Sequence, residues 1–422
     1  DARELIYYMR MVIDPRCGRK TKHDHAEILT CLVVGYLAGR DSVRRCLKWC
    51  ENHIDFLRQH LELKNGIASP ATVSRILGNI DEEIFCLAFI EWMTGILNTK
   101  GINIAIDGKA LRGSTEKIRN RQTPYILNAI DTATALVIAQ LPIADKENEI
   151  TAIPKLLKLL NIQGSLVTID AIGTAQSVMD TINEKEADYL LTVKKGNPLT
   201  YQETKEMFAE LGKEKERISA HPNQTVTYEK QMDSYDVFKT SERNRSRMEY
   251  RTMQICHNTD LITLCKKQKE IKTVGWLEQV RIPMEKDKNG KDITPAYEDF
   301  IKNGTVRSPR ITTGDNLTDD IHQVGLISSR RMSAQETLEN KRDHWKIENS
   351  LHHVLDDLFR EDRSSARKSK NSLAVIRKIA YNLLRIAILR EKTESGPTEM
   401  RDQFNDDLTL IEKYVFRGIA HL

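Results

Sequence analysis

Residues 102–114 read INIAIDGKALRGS. Ile102, Ile104 and Ile106 alternate with small or polar residues, which is the period of a strand in a sheet. The run ends on Asp107 and turns through Gly108 into two cations, Lys109 and Arg112. Open α/β sheets carry their chemistry at strand ends, so this pattern places Asp107 at or just past the end of its strand. Residues 165–170, SLVTID, repeat the shape and end on Asp170. An aspartate after a strand also serves as a cap or turn residue, but two such strands suggest one acidic pocket. A third candidate is Glu348, in HWKIENSLHHVLDDLF at 344–359. Its neighbours Trp345, Ile347, Leu351 and Leu355 predict a partly buried carboxylate, which needs a compensating charge or a metal. The plain alternative is a solvent-facing acid on a helix.

Working outward, the pattern predicts strands at 102–107, 125–131 and 135–142, a helix at 147–160, a strand at 165–170, a helix at 174–184 and a strand at 189–193. That order is the one found in ribonuclease H-like cores, where the first and fourth strands are neighbours and their terminal acids meet. Residues 197–330 break the pattern. They are charged, with strand candidates at 251–255, 273–282 and 323–328 and turn signals at 287–294 and 302–309. They read as a β-rich insertion. Helical period returns at 333–359 and at 372–389, where Leu373, Ile376, Ile379, Ala380, Leu383 and Ile386 form an apolar stripe. Residues 1–98 read as helical throughout, with Gly39 as a stop after 26–38 and Ser69-Pro70 opening a helix at 71–77. The expected fold is therefore α/β: a ribonuclease H-like core interrupted by a β-rich insertion and preceded by an all-α N-terminal domain. The expected divisions are 1–98, 99–196, 197–330, 331–392 and a tail at 393–422.

The chain has 422 residues, 40% of them hydrophobic, and a formal net charge of +4. That charge proves nothing about nucleic acid by itself; its clustering carries the argument. Arg243, Arg245, Arg247 and Arg251 form one cluster, and Lys266, Lys267, Lys269 and Lys272 another. The densest is 360–378, where Arg360, Arg363, Arg367, Lys368, Lys370, Arg377 and Lys378 face only Glu361 and Asp362. Each cluster reads either as phosphate contact or as a solvated face. A helix, a turn with Gly66 and Ser69, and a helix with Thr72, Ser74 and Arg75 resemble a helix-turn-helix for DNA ends. Arg16, Arg19, Lys20 and Lys22 form a basic approach to it. Seven cysteines with no CxxC pair point to a reducing compartment. Cys46, Cys50 and His53 share a helical face and with His23 or His25 would make a zinc set; small buried thiols are the other account. No GxxxxGK[ST] occurs, which argues against a nucleotide-driven motor. The longest apolar run, 28–38, is too short to span a bilayer. The chain reads as soluble and cytoplasmic.

Together, IAIDGKALRGS, IADKENEITAIPKLLKLLNIQGSLVTIDAIGT, ADYLLTVKKGN, HWKIENSLHHVLDDLFREDRS and NSLAVIRKIAYNLLR resemble bacterial insertion-sequence transposases. The group is the "As-one" family, which includes the H-repeat-associated proteins. The resemblance implies a catalytic Asp-Asp-Glu triad, which falls on Asp107, Asp170 and Glu348. It implies two Mg²⁺ ions, replaceable by Mn²⁺, with Asp107 bridging both, Asp170 on one and Glu348 on the other. It further implies cleavage at transposon ends, strand transfer into target DNA, terminal-repeat and target DNA as partners, and a homodimer on DNA. Lys109 and Arg112 are then expected at the scissile phosphate. Lys194, Lys195, His344, Arg360, Arg363, Arg367 and Lys368 are expected on DNA, and Trp276 on a flipped base. Related enzymes carry Tyr, Arg and Lys at fixed offsets around the glutamate; here those offsets hold Lys341, His344 and Leu355. The competing functions are a nuclease of the same fold and a transposase-derived protein that binds DNA without strand transfer.

Overall fold

The computed structural model describes residues 4–16, 21–111, 125–143, 147–170, 175–193, 198–221, 226–244, 247–258, 260–286, 290, 292–293, 321–364 and 366–419. In chain order it begins with α1 (Leu5–Met11), α2 (His25–Leu37), α3 (Val43–Asn52), α4 (Ile54–Leu57), α5 (Pro70–Leu77) and α6 (Glu82–Thr94). Then come β1 (Asn103–Ala110), β2 (Tyr125–Asp131), β3 (Val137–Ile143), α7 (Glu149–Lys158), β4 (Leu166–Ile169), α8 (Gln176–Glu184) and β5 (Asp188–Val193). The long helix α9 (Pro198–Ala220) and α10 (Glu229–Met232) lead to β6 (Tyr235–Asn244), β7 (Arg247–Cys256), α11 (Thr263–Lys267) and β8 (Thr273–Pro283). A two-residue pair, β9 (Glu285–Lys286) and β10 (Asp292–Ile293), precedes β11 (Ile321–Ser328). The chain ends with α12 (Ala334–His344), a π-helical turn (Ile347–His352), α13 (His353–Asp357), α14 (Lys370–Glu391), α15 (Pro397–Asp406) and α16 (Leu408–Ile411).

These elements form two compact units, and β4 is divided between them at Val167 and Thr168. One unit comprises Asp1–Val167, Ala175–Ala187 and Asp343–Leu422. Its strand order is β3-β2-β1-β4, so the first and fourth strands are neighbours as the sequence predicts. β1, β2 and β3 are antiparallel. Ile104, Ala105 and Ile106 are fully buried, and α6, α7 and α14 cover this part of the sheet. The helices before residue 98 are not set apart: α14 packs on α2 and α6, and α6 packs on β3. Gly39, at φ +79°, ends α2, with Arg40 N donating to Gly35 O and Gly39 N to Tyr36 O. This is the Schellman closure that glycine permits. Ser69 caps α5 by accepting from Thr72 N at 3.3 Å, with Pro70 at its first position. Cys46 and Cys50 are fully buried between α2 and α3; burial pushes the Cys46 thiol up, and a hydrogen bond with Cys31, with burial behind it, pushes the Cys50 thiol up.

The other unit comprises Thr168–Thr174 and Asp188–Arg342. Its strand order is β4-β5-β11-β8-β7-β6, antiparallel from β5 onward. Within this unit the strands of the predicted β-rich segment continue from β5 through β11. It also contains the 23-residue α9, which the sequence reading lacks. α9 buries Tyr201, Thr204, Met207, Phe208 and Leu211 and packs on β8 and β11.

Candidate active site

Asp107 is the fifth residue of β1, not a residue at its end. The difference arises because β2 pairs with β1 as far as Ala110, extending the strand past the aspartate. Asn128, fully buried, stands opposite Asp107 in the register. Gly108 leaves room for its neighbours: a Cβ there would lie 2.0 Å from Tyr125 Cε1 and 2.7 Å from Glu149 Oε1. Burial raises the Tyr125 pKa, and Glu149 and Asp107 raise it further. The hydroxyl therefore stays protonated beside two acids.

The π-helical turn that carries Glu348 packs against β1. Its inward face is Ile347 and Leu351, followed by Leu355, all fully buried. Glu348 lies off that face and is exposed, which corrects the expectation of a partly buried acid. Four residues on, His352 Nδ1 stands 3.8 Å from Asp107 Oδ2. Burial, with Lys109 and Lys378 nearby, pushes the His352 pKa down to about 3, so the imidazole is neutral at physiological pH. The Asn128 amide lies 3.5 Å from His352 Nε2. As a donor, it leaves the ring proton on Nδ1, the nitrogen that faces Asp107.

Lys109 does not reach outward. It is 7% exposed and ion-paired with Asp356, with Glu361 at 3.0 Å and with Asp362 at 4.0 Å. Burial opposes its charge, but these carboxylates win and its pKa rises. Glu361 is fully buried, which alone would raise its pKa; Lys378, Lys109 and Arg377 outweigh that and lower it. In the other unit, Asp170 follows the last residue of β4, as the sequence predicts. Lys341 Nζ lies 3.9 Å from Asp170 Oδ1 and donates to Thr192 Oγ1 at 2.7 Å. All three expected catalytic positions are carboxylates, the donor type that suits a hard cation. Among the described residues, no three His, Cys, Asp or Glu side chains stand together as a ready-made metal cage.

A family model described as "Transposase DDE domain" matches residues 99–383, and one described as "DDE_Tnp_1-associated" matches residues 6–93. The chain belongs to the DDE transposase family. "Putative transposase YncI" of Escherichia coli O157:H7 is 30% identical over 391 residues, covering 90% of this chain and 87% of that protein. "H repeat-associated putative transposase YhhI" of Escherichia coli strain K12 is 28% identical over 388 residues, covering 91% of each. A structure of piggyBac transposase in a synaptic complex with hairpin DNA overlays at TM-score 0.43 and 11% identity, covering 99% of this chain and 77% of that one. A likeness at that level fixes neither fold nor function.

Several positions expected to touch DNA lie elsewhere in this transposase. His344 is 4% exposed, on the buried face that continues through Ile347. Trp276 is also 4% exposed and packs on Tyr201, with ring centroids 5.3 Å apart, so it is a core residue. Arg251 is buried between Glu249 and Glu242, and Arg247 pairs with Glu249 at 2.6 Å, so that cluster is partly an internal ion-pair network. Arg377 and Lys378 are buried as well. Arg360, Arg363, Arg367 and Lys368 remain exposed, Arg360 with Asp41 at 3.4 Å. So do Lys266, Lys267, Lys269 and Lys272. Arg112, Lys194 and Lys195 lie outside the described residues, as do Arg19, Lys20, Arg245 and the predicted turn at 302–309. Sequence reasoning missed His352, Asn128 and Lys341 as neighbours of the two aspartates. The offset that put Lys341 seven residues before Glu348 was the available signal for one of them. No helix among the described residues is long and apolar enough to cross a membrane.

Proposed function

We propose that this transposase cuts the ends of an insertion sequence and joins the freed 3′ ends to target DNA, with Asp107, Asp170 and Glu348 as its catalytic carboxylates in a ribonuclease H-like core. The observation that carries the reading is the packing of β1, which bears Asp107, on the π-helical turn that bears Glu348. It comes with the His352–Asp107 approach of 3.8 Å. The three carboxylates would hold Mg²⁺, or Mn²⁺ in its place. When bound, the metal would generate a nucleophile at neutral pH and stabilise the leaving oxygen. The protein's own part is positional. Neutral His352 turns its Nδ1 side toward Asp107 without competing for it as a cation. Gly108 lets the Tyr125 ring and Glu149 close over the strand.

DNA would be held by the exposed basic stretch Arg363, Arg367 and Lys368. Its neighbour is α5: a Cβ on Gly78, just past that helix, would lie 3.2 Å from Lys368 Cβ, and Ser372 Oγ donates to Leu77 O. Ala71, Ser74 and Arg75 are exposed on α5, so helix and basic stretch offer one cationic face for an element end. Pairing two ends requires a dimer on DNA. The test is a joining assay with labelled element-end duplexes and plasmid in Mg²⁺. Plasmid-joined label that disappears with Asp107→Asn, Asp170→Asn or Glu348→Gln supports the proposal. Cutting without joining would make the chain a nuclease, and binding with neither would make it a DNA-binding derivative.

A further inference from the structure

Lys109 lies two residues beyond Asp107, and its ammonium is enclosed by acids from the segment that follows Glu348. Asp356 comes eight residues after Glu348 in sequence, and Glu361 lies in the short 3-10 turn Glu361–Arg363 beyond it. A desolvated lysine and a fully buried glutamate are tolerated only as mutual partners. The pair therefore fixes β1 against the chain just past α13. Arg377 and Lys378 of α14 complete the charge balance around Glu361. The expected phosphate contact is thus replaced by a cross-link between the supports of the first and third acids.

We infer that Lys109 is a positioning residue, whose ion-pair clamp on Asp356 and Glu361 sets Asp107 and Glu348 for a common divalent cation. The inference rests on the catalytic assignment above. It makes Lys109 a group that governs metal affinity through the two acids rather than by touching metal or DNA.

The test removes the clamp's charges together, because Lys109→Met alone takes the ion-pair partner from Asp356 and from the buried Glu361. The triple variant Lys109→Met/Asp356→Asn/Glu361→Gln and the milder Asp356→Asn are compared with wild type for Mn²⁺ binding by calorimetry, for melting temperature and for metal-dependent nicking. The expected result for the triple variant is about tenfold weaker Mn²⁺ binding, the effect typical of losing a group that supports a metal ligand. The Mn²⁺ needed for half-maximal nicking should rise in parallel, with the protein still folded. Asp356→Asn should weaken binding in the same direction by less. Unchanged Mn²⁺ affinity in Asp356→Asn, and in any triple variant that folds, would overturn the inference and leave Lys109 a structural residue. Failure of the catalytic assignment looks different: Glu348→Gln would then bind Mn²⁺ as wild type does, which overturns both.

Discussion

Lys378 is fully enclosed by protein, and burial lowers its pKa to about 8 despite Glu361 alongside. The sign of its effect on stability follows from linkage. An unfolded lysine keeps its proton to about pH 10.5 whereas the folded one releases it near 8, so between these the unfolded state binds more protons and stability rises with pH. Lys378→Met should remove that rise, read as the difference between urea midpoints at about pH 7.5 and about pH 9.5 in the two proteins. Gly108 makes a second residue-scale prediction. Gly108→Ala puts a Cβ 2.0 Å from the Tyr125 ring and should cost about 1–3 kcal/mol in thermal unfolding. The double variant with Tyr125→Ala should lose less than the two singles added, because each relieves the other. The fates of Lys109 and Arg251 were not legible in sequence. A lysine after a strand-borne aspartate looks solvent-facing until its partners are known, and Asp356 is 247 residues away. Arg251 pairs across neighbouring strands, which a local charge count cannot register.

Close packing of α2 on α3 depends on Gly35, where a Cβ would lie 2.4 Å from Cys46 Cβ and 2.7 Å from Cys46 Cα. Gly35→Ala should therefore lower stability by about 1–3 kcal/mol, measured by urea unfolding, while Gly396→Ala, with open space around it, should change little. The elements that could be read were those with a clean period. β1 through β5 alternate or run apolar, and α14 repeats its stripe over 22 residues. Those that escaped had their signal diluted. α9 has a helical stripe at Tyr201, Thr204, Phe208 and Leu211, but most of its other positions are charged or polar. β6 is half-buried or exposed along its whole length, so no buried face marks it as a strand. The tail beyond 393 folds as α15 and α16, anchored by the buried Met400, Phe404 and Ile411 that the reading passed over. The site is mixed in the same way. Asp170 directly follows β4, close to where its strand pattern put it, whereas Asp107 lies inside β1 and Glu348 lies off the buried face of Ile347, Leu351 and Leu355.

At the scale of the whole molecule, the proposed function needs both the three carboxylates and a cationic face for DNA. If Arg363, Arg367 and Lys368 contact phosphates, neutralising all three should flatten the salt dependence of DNA binding. The slope of log affinity against log salt should fall by about 0.9 per lost contact. A filter-binding titration across several salt concentrations reads this directly, and an unchanged slope would remove these three from the interface. Their loss should leave metal binding untouched, since the ion-pair partners of Lys109 are Asp356, Glu361 and Asp362, and none of these is changed. The most direct test of the central claim is nicking of supercoiled plasmid carrying the element's own ends, in Mg²⁺ and in Mn²⁺, by wild type and by Glu348→Gln. The expected result is nicking that needs metal and is lost in the variant. Equal nicking by the two proteins would contradict it, because Glu348 would then have no part in the chemistry.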